Sequence, residues 1–199
     1  MPNFDFENEK YNDGYTAVCG CDEAGRGPLC GSVVAAAVIL PRDLIIEGLN
    51  DSKKLSEKKR EALFDVITNS AIAYGIAEAT PEEIDELNIL NASMLAMRRA
   101  VEKLAVKADF CLIDGNCSRG FQIATETVVK GDSKSYSIAA ASILAKVTRD
   151  RQCKELDEQY PKYGIAKHKG YPTVDHMEAV KKYGPAPIYR RSFLKFLDK

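Results

Sequence analysis

The chain has 199 residues and a formal net charge of −1; 45% of its residues are hydrophobic and 29% are charged, as in an ordinary globular domain. No apolar run approaches the roughly 20 residues that a membrane-spanning helix needs, and the acidic start MPNFDFENEKYNDG lacks the basic and apolar regions of a secretory signal. Six cysteines without a C-x-x-C pair are typical of reduced thiols, so we expect a cytoplasmic protein that does not bind membranes.

Hydrophobic periodicity and end signals predict the secondary structure in chain order. Residues 1–15 are interpreted as a loose leader. The predicted strands are residues 16–22, 31–40, 71–79, 110–113 and 124–130. The predicted helices are residues 56–69, a short helix opened by the capping box of Thr80 and Glu83, and residues 88–105, 137–160 and 173–182, with a polar loop at 163–172. This order predicts an α/β fold, a mixed sheet with helices on its faces.

Charge is distributed unevenly along the chain. Residues 130–199 carry 15 Lys and Arg against 8 Asp and Glu, a net +7, whereas residues 1–129 carry a net −8. A basic half and an acidic half suit an enzyme that binds a polyanion through one part and cations through the other. We expect one domain over residues 16–165 and a small helical C-terminal portion over residues 166–199, which lies in the basic part of the chain.

Carboxylates next to glycine follow three predicted strands. Asp22 and Glu23 come after AVCGC, Asp114 follows FCLI, and Asp132 follows TVVKG. Strand ends deliver side chains to one rim of an α/β sheet, and four carboxylates meeting there would repel one another unless divalent cations lay between them. Their hard oxygen atoms favour Mg²⁺ or Mn²⁺. The sequence therefore predicts a joint metal site suited to metal-assisted phosphoryl transfer.

Six ordered blocks resemble those of the bacterial ribonuclease HII family. They are DEAGRGP at 22–28, DSKKL at 51–55, IDG at 113–115, KGDSKSYSIAAASILAKVTRD at 130–150, HKGYPT at 168–173 and RRSF at 190–193. The resemblance runs from about residue 17 to 193, and the related type HIII enzymes lack the Gly25-Arg26-Gly27 sequence. One departure is Tyr189, where the family usually has His; that position is not among the family's catalytic residues.

The resemblance implies a ribonuclease H-like mixed sheet flanked by helices, with a catalytic domain over residues 16–165. The small helical C-terminal portion, residues 166–199, is then expected to contribute to nucleic-acid binding. It implies an endonuclease that cuts the RNA strand of RNA–DNA hybrids and incises duplex DNA 5′ to embedded ribonucleotides, leaving a 3′-hydroxyl and a 5′-phosphate, as in ribonucleotide excision repair. The implied catalytic and metal-binding set is Asp22, Glu23, Asp114 and Asp132, with two Mg²⁺ or Mn²⁺ ions. The partners are then RNA–DNA hybrid and ribonucleotide-containing duplex DNA, and we expect a monomer.

The resemblance also implies which residues bind the substrate. Gly25, Arg26 and Gly27 resemble the family's ribose-sensing loop, whose backbone contacts the 2′-hydroxyl that only RNA has. Tyr171 resembles the ring that stacks under the deoxyribose following the ribonucleotide. The basic groups are candidates for phosphate contacts: Lys53, Lys54, Lys167, His168, Lys169, Arg190 and Arg191.

Three residues near these motifs receive other interpretations. Asp150 is a second candidate for the fourth carboxylate, but its place deep in a predicted helix favours an intrahelical ion pair. His168 and His176 are the only histidines, and neither lies at a strand end, so neither is assigned to a metal.

Other functions remain compatible with parts of the chain. A resolvase-like, metal-dependent DNA nuclease without a ribose requirement is the main alternative, and the Gly-Arg-Gly loop and Tyr171 argue against it. The carboxylate set argues against a non-catalytic nucleic-acid-binding module. The separate basic half, and the lack of a glycine-rich nucleotide-binding loop, argue against a phosphatase of small substrates.

Overall fold

The computed structural model describes residues 1–198. Their five strands form one mixed sheet of order β3-β2-β1-β4-β5. The strands are β1 (Val18–Ala24), β2 (Val33–Ile39), β3 (Ala73–Ala79), β4 (Phe110–Asp114) and β5 (Ala124–Val128). β2 pairs antiparallel with β1 and β3, whereas β4 pairs parallel with β1 and β5. The prediction of a mixed sheet is confirmed. A short connection joins the antiparallel strands β1 and β2, whereas residues 40–72, which include a helix, join β2 to β3.

Seven α-helices accompany the sheet within residues 1–198. They are α1 (Asp5–Asn12), α2 (Glu57–Ser70), α3 (Pro81–Leu87), α4 (Ile89–Glu102), α5 (Tyr136–Gln159), α6 (Ile165–His168) and α7 (Val174–Tyr183). The capping box that predicted α3 is present, with Thr80 and Glu83 satisfying each other's backbone N–H groups. The one helical turn of α6 falls where we predicted a loop. None of these helices is long and apolar enough to cross a lipid bilayer.

Alternation along β2 divides the core between two helical layers. Ala35 and Ala37 face the layer that contains α4, and Ala36 and Val38 face α5 and α2. α5 crosses β1 closely at Gly20, where an added Cβ would lie 2.3 Å from the backbone of Ser137 and Ile138. Only glycine permits that approach, which brings the middle of α5 over the end of β1.

The carboxyl ends of β1, β4 and β5 lie at one edge of the sheet, because these three strands run parallel. β1 ends in the acidic pair predicted from its sequence, and β4 ends at Asp114. A short 3-10 turn, Gly131–Ser133, follows β5 and leads into α5. The fold therefore gathers the three predicted acidic sites at the same edge.

The N-terminal segment does not match the prediction of a loose leader. Residues 5–12 form α1, and Glu7 on this helix is only 1% exposed. Its Oε1 accepts hydrogen bonds from the Ser135 hydroxyl at 2.6 Å and from the Ser137 hydroxyl and N–H at 2.6 and 2.8 Å. The prediction is wrong for these residues because the partners of Glu7 lie some 130 positions away, where no local pattern reveals them.

The C-terminal segment, residues 188–194, packs against the chain that follows β1. Cys30 and Tyr189 form an antiparallel bridge, with Gly31 N–H donating to the Ile188 carbonyl at 2.8 Å and Arg190 N–H to the Leu29 carbonyl at 2.9 Å. The far end of the chain is thereby held beside the turn between β1 and β2.

Substitution of Glu7 tests the role of α1. Glu7→Ala removes an acceptor from three donors at the start of α5 and leaves two hydroxyl groups buried, so we expect the free energy of unfolding to fall by about 2 kcal/mol. Urea denaturation measures the change. Glu9→Ala is the matched control, because Glu9 is an exposed residue of the same helix; we expect it to change stability by less than about 0.5 kcal/mol. Equal effects of the two substitutions would contradict a capping role for Glu7.

Candidate active site

Four carboxylates, Asp22, Glu23, Asp114 and Asp132, form what we call the acidic edge. Cys21 of β1 pairs with Ile113 of β4, so the next residues, Asp22 and Asp114, lie side by side on neighbouring parallel strands. Asp132 joins them through the turn after β5, where the N–H of Gly131 donates to Asp114 Oδ1 at 2.6 Å. The structure thus brings together all four predicted site residues.

Asp22 is buried and supported by a chain of hydroxyl groups. The N–H of Glu23 donates to Asp22 Oδ1 at 2.7 Å, and the Ser142 hydroxyl of α5 lies beside the same carboxyl group. The Ser142 hydroxyl in turn lies 2.8 Å from that of Ser52, in the DSKKL block. This contact explains why a block far from the strands belongs to the site: it fixes the surroundings of Asp22.

Burial and mutual repulsion raise the pKa of three of the four carboxyl groups. For Asp22 the largest cause is burial, followed by the charges of Glu23 and Asp114. The pKa of Glu23 is raised chiefly by burial, which Arg26 partly offsets. The pKa of Asp132 is raised by burial and then by Asp114. Asp114 therefore acts electrostatically on every other member of the acidic edge.

Side-chain cations partly compensate this charge. Arg26 Nη1 lies 3.3 Å from Glu23 Oε1, and Lys53 Nζ lies 3.7 Å from Asp132 Oδ2. Within residues 1–198 no three His, Cys, Asp or Glu side chains are arranged so that they hold one metal ion together. The carboxylates are thus close enough to repel one another, but they do not converge on one point. Two of them are paired with cations, Glu23 with Arg26 and Asp132 with Lys53. As a donor set of hard oxygen atoms they nevertheless fit Mg²⁺ or Mn²⁺.

A cavity of about 370 Å³ opens beside the acidic edge. Asp22 and Glu23 line one side, and residues 25–28, which we call the glycine loop, line another with Tyr171. The Tyr171 ring contacts Gly27, where an added Cβ would lie 3.1 Å from a ring carbon, and the ring is 47% exposed. The two groups predicted to recognise the sugar therefore meet in one space next to the acidic edge.

The predicted phosphate contacts separate into two groups. Lys53 and Lys169 line the cavity. Exposed Lys54 follows Lys53 in sequence, and its Nζ lies 3.9 Å from Asp51 Oδ2. Lys167 is exposed outside the cavity lining and pairs with Asp175.

For Arg190 the prediction of a phosphate contact is wrong. Arg190 is fully buried, and its guanidinium donates to the carbonyl oxygens of Gly25, Arg26, Pro28 and Gly31 at 2.6, 3.0, 2.7 and 2.9 Å. The Arg-Arg pair suggested two exposed cations, but only Arg191 is exposed. No local signal distinguishes the two, because the acceptors of Arg190 lie about 160 residues earlier in the chain.

Asp150 forms the intrahelical ion pair that the sequence predicted. Its Oδ1 accepts from Lys146 Nζ, one turn earlier in α5, at 2.6 Å, and its Oδ2 lies 3.3 Å from Arg60 Nη2. Sequence reasoning missed Arg60, which comes from α2. With both oxygens paired to cations, Asp150 is a structural member of the cavity wall.

The two histidines stack on each other behind Tyr171, with ring centroids 4.0 Å apart. The buried His176 ring contacts the Tyr171 carbonyl through Nδ1 and the Tyr189 hydroxyl through Nε2, at 2.9 and 2.8 Å. Burial lowers the pKa of His176. Tyr189, where the family usually has His, thus contacts the His176 ring, which in turn contacts the backbone of Tyr171.

Known proteins match this chain over nearly its whole length. The family model described as ribonuclease HII covers residues 19–196. A ribonuclease HII of Acetivibrio thermocellus is 57% identical over 190 residues, 96% of this chain and 74% of that protein. Among solved structures, ribonuclease H2 of Pyrococcus horikoshii OT3 has a TM-score of 0.77 at 29% identity, covering 92% of this chain and 97% of that one. Bst-RNase HIII in complex with Mn²⁺ has a TM-score of 0.68 at 20% identity, over 92% and 64% of the respective chains.

These structural matches define a ribonuclease H-like α/β fold, as predicted. The chain belongs to the ribonuclease HII family. Its activity is that of an endoribonuclease on RNA–DNA hybrids, which confirms the prediction of enzyme class. Membership of this family favours the ribonuclease over the resolvase-like alternative.

The raised pKa of Asp22 has a consequence for stability. A folded-state pKa above the unfolded value means that ionisation costs the folded state stability as pH rises above about 4. We therefore expect Asp22→Asn to raise the Tm of the protein in EDTA by about 3 °C or more near pH 8, and by less near pH 4. Thermal unfolding at the two pH values measures this.

Asp65→Asn, on the exposed face of α2, is the control for Asp22→Asn and should leave Tm nearly unchanged at both pH values. A Tm for Asp22→Asn that lies below that of the wild type at both pH values would show that the carboxylate stabilises the fold instead.

Proposed function

We propose that this chain, besides cutting the RNA strand of RNA–DNA hybrids, incises duplex DNA on the 5′ side of a single embedded ribonucleotide, leaving 3′-hydroxyl and 5′-phosphate ends. The observation that carries the proposal is the shared cavity, with Asp22 and Glu23 on one side and the glycine loop and Tyr171 on another. A phosphodiester bound there has its ribose beside the loop and its phosphate beside the carboxylates. Cleavage can then depend on one 2′-hydroxyl.

The acidic edge is the proposed catalytic and metal-binding centre. Asp22, Glu23, Asp114 and Asp132 would hold two Mg²⁺ or Mn²⁺ ions through hard oxygen ligands. Such ions supply a water of lowered pKa and stabilise negative charge on the leaving 3′-oxygen. The crowded charge of the carboxylates, which raises the pKa of Asp22 and Asp132, supports this assignment, as does the fold relative Bst-RNase HIII in complex with Mn²⁺.

The basic residues around the cavity are proposed to orient the backbone of the nucleic acid. Lys53 and Lys169 stand at the cavity wall, and Lys54 extends the same basic surface. Phosphate contacts of this kind set the register of a protein on the duplex and carry no sequence information. Arg26 is half-exposed, is paired with Glu23 of the acidic edge and lines the same cavity.

The glycine loop and Tyr171 are proposed to recognise the sugar. Gly25, Arg26 and Gly27 line the cavity, and a 2′-hydroxyl bound there would offer both a donor and an acceptor to their backbone. The exposed Tyr171 ring on Gly27 presents a flat apolar surface for the next sugar. A ring at this place favours a junction from RNA to DNA over continuous RNA.

A duplex with one embedded ribonucleotide tests the proposed function. It is incubated with Mg²⁺ or Mn²⁺ beside an all-DNA duplex of the same sequence. We expect cleavage on the 5′ side of the ribonucleotide in the first duplex and none in the second. Cleavage of both duplexes, or of neither, would overturn the proposal.

The same substrate distinguishes the two candidates for the fourth carboxylate. Asp132→Asn is expected to lower turnover by about 100-fold or more with the fold intact, because it removes a charge from the acidic edge. Asp150→Asn is the matched control and should keep turnover within about tenfold, since Asp150 is already paired with Lys146 and Arg60. Steady-state cleavage rates and circular dichroism measure both. The reverse order of losses would assign Asp150 to the centre instead.

Replacement of Tyr171 separates recognition from packing. Tyr171→Ala should reduce kcat on the single-ribonucleotide duplex by about tenfold or more, the size of a lost stacking contact, and weaken binding to all-DNA duplex much less. Cleavage kinetics and fluorescence anisotropy measure the two effects. Tyr183→Ala, at a half-exposed tyrosine of α7 outside the cavity lining, is the control and should change neither. Equal losses of cleavage and binding for Tyr171→Ala would indicate a packing role.

A further inference from the structure

Arg190 contacts the glycine loop through several hydrogen bonds. Its buried guanidinium donates to four carbonyl oxygens, and three of them, those of Gly25, Arg26 and Pro28, belong to the loop. The fourth, of Gly31, lies at the start of the chain leading into β2. A guanidinium is planar and has five donors in a fixed arrangement, so four acceptors around it are held in fixed relative positions.

Fixing these carbonyl groups also fixes the N–H groups of the loop. In a planar trans peptide the C=O of one residue and the N–H of the next point in opposite directions. The Gly25 and Arg26 carbonyls point to Arg190, so the N–H groups of Arg26 and Gly27 point to the opposite side of the loop. The Pro28 carbonyl likewise orients the N–H of Leu29, which donates to the Gly170 carbonyl at 2.8 Å, next to Tyr171.

We propose that Arg190 is a positioning residue that orients the backbone N–H groups of the glycine loop for recognition of the 2′-hydroxyl. This inference rests on the proposed function of the loop. It assigns to the RRSF block a role in ribose selection from behind the loop, at a distance from the nucleic acid. Arg190 touches no substrate; it acts through the peptide groups of Gly25 and Arg26.

The C-terminal segment around Arg190 is anchored on both sides. Asp85 of α3 accepts from the N–H groups of Arg191 and Ser192 at 2.7 and 2.9 Å, and also from the Ser192 hydroxyl. The Phe193 ring lies 5.3 Å from the Arg190 guanidinium. Together with the backbone pairing of residues 29–31, these contacts make Arg190 a fixed support.

A second buried arginine completes the support under the loop. Arg149 of α5 donates to the Cys30 carbonyl at 2.7 Å. Its side chain fills the space beside Gly25 and Gly31, where added Cβ atoms would lie 2.8 and 2.9 Å from it. Both glycines have positive φ, so the loop conformation and the buried side chains beneath it are matched.

Arg190→Lys tests the inference, because lysine keeps the charge but has one nitrogen in place of a planar fork. We expect kcat on the single-ribonucleotide duplex to fall about 100-fold, the cost of a small misplacement of a recognition group, while KM changes less than about threefold. Hydrogen exchange of the amides of residues 25–27 and 29–31 should become faster, with β1 and β2 core amides unchanged. Lys195→Gln, an exposed cation of the same end of the chain, is the control and should change kcat and KM by less than about twofold.

Asp85→Ala is a second variant that loosens the anchor of Arg190 without altering the buried guanidinium. Asp85→Ala should lower kcat by about fivefold and make hydrogen exchange of the loop amides faster. If Arg190→Lys does not fold, Asp85→Ala serves as the test of the inference. If the variant that folds has the same kcat and the same hydrogen-exchange rates in the loop as the wild type, the inference is overturned. Faster loop exchange with unchanged kcat would also overturn it, because the loop orientation would then not limit recognition.

The two proposals fail in different ways. If the wild-type enzyme cuts the all-DNA duplex as well, the proposed recognition of ribose fails and this inference fails with it. If the wild type requires the ribonucleotide but Arg190→Lys keeps its kcat, only the inference about Arg190 fails.

Discussion

The repulsion among carboxylates at the ends of three parallel strands is the constraint on which the site depends. The pairing of Cys21 with Ile113 places Asp22 beside Asp114, and the turn after β5 adds Asp132. Burial and neighbouring charge raise the pKa of Asp22, so the arrangement costs stability at neutral pH. Arg26 and Lys53 offset part of that cost, and divalent cations would offset more. The proposed catalytic chemistry follows from this electrostatic imbalance.

The recognition side of the cavity is stabilised by an opposite arrangement. Two buried guanidinium groups, from Arg149 and Arg190, satisfy backbone carbonyls that would otherwise lie unpaired beneath the glycine loop. The guanidinium groups below the loop are positive and the carboxylates beside it are negative. The turn between β1 and β2 therefore has charged groups on two sides. The glycine loop, with its proposed role in sugar recognition, can therefore follow directly after the proposed catalytic carboxylates Asp22 and Glu23.

Local patterns in the sequence were sufficient for the sheet, for five of the seven helices and for the acidic edge, but not for α1 and α6. Asp22, Asp114 and Asp132 each follow an apolar strand, and Thr80 with Glu83 marks a helix start, so short windows contain the signal. The contacts of Glu7 and Arg190 were not predictable, because each depends on partners more than 120 residues distant. Arg190 next to Arg191 is the clearest case, since identical neighbours have opposite environments that only the tertiary fold distinguishes.

The close crossing of α5 over β1 at Gly20 links the core to the spacing of the acidic edge. α5 carries Ser142 beside Asp22, and the turn that bears Asp132 leads directly into the same helix. A methyl group at Gly20 would push this helix outward and move two walls of the site at once. The surroundings of Asp22 and the position of Asp132 thus depend on a residue without a side chain, so a position in the interior of the sheet limits how far the acidic edge can change.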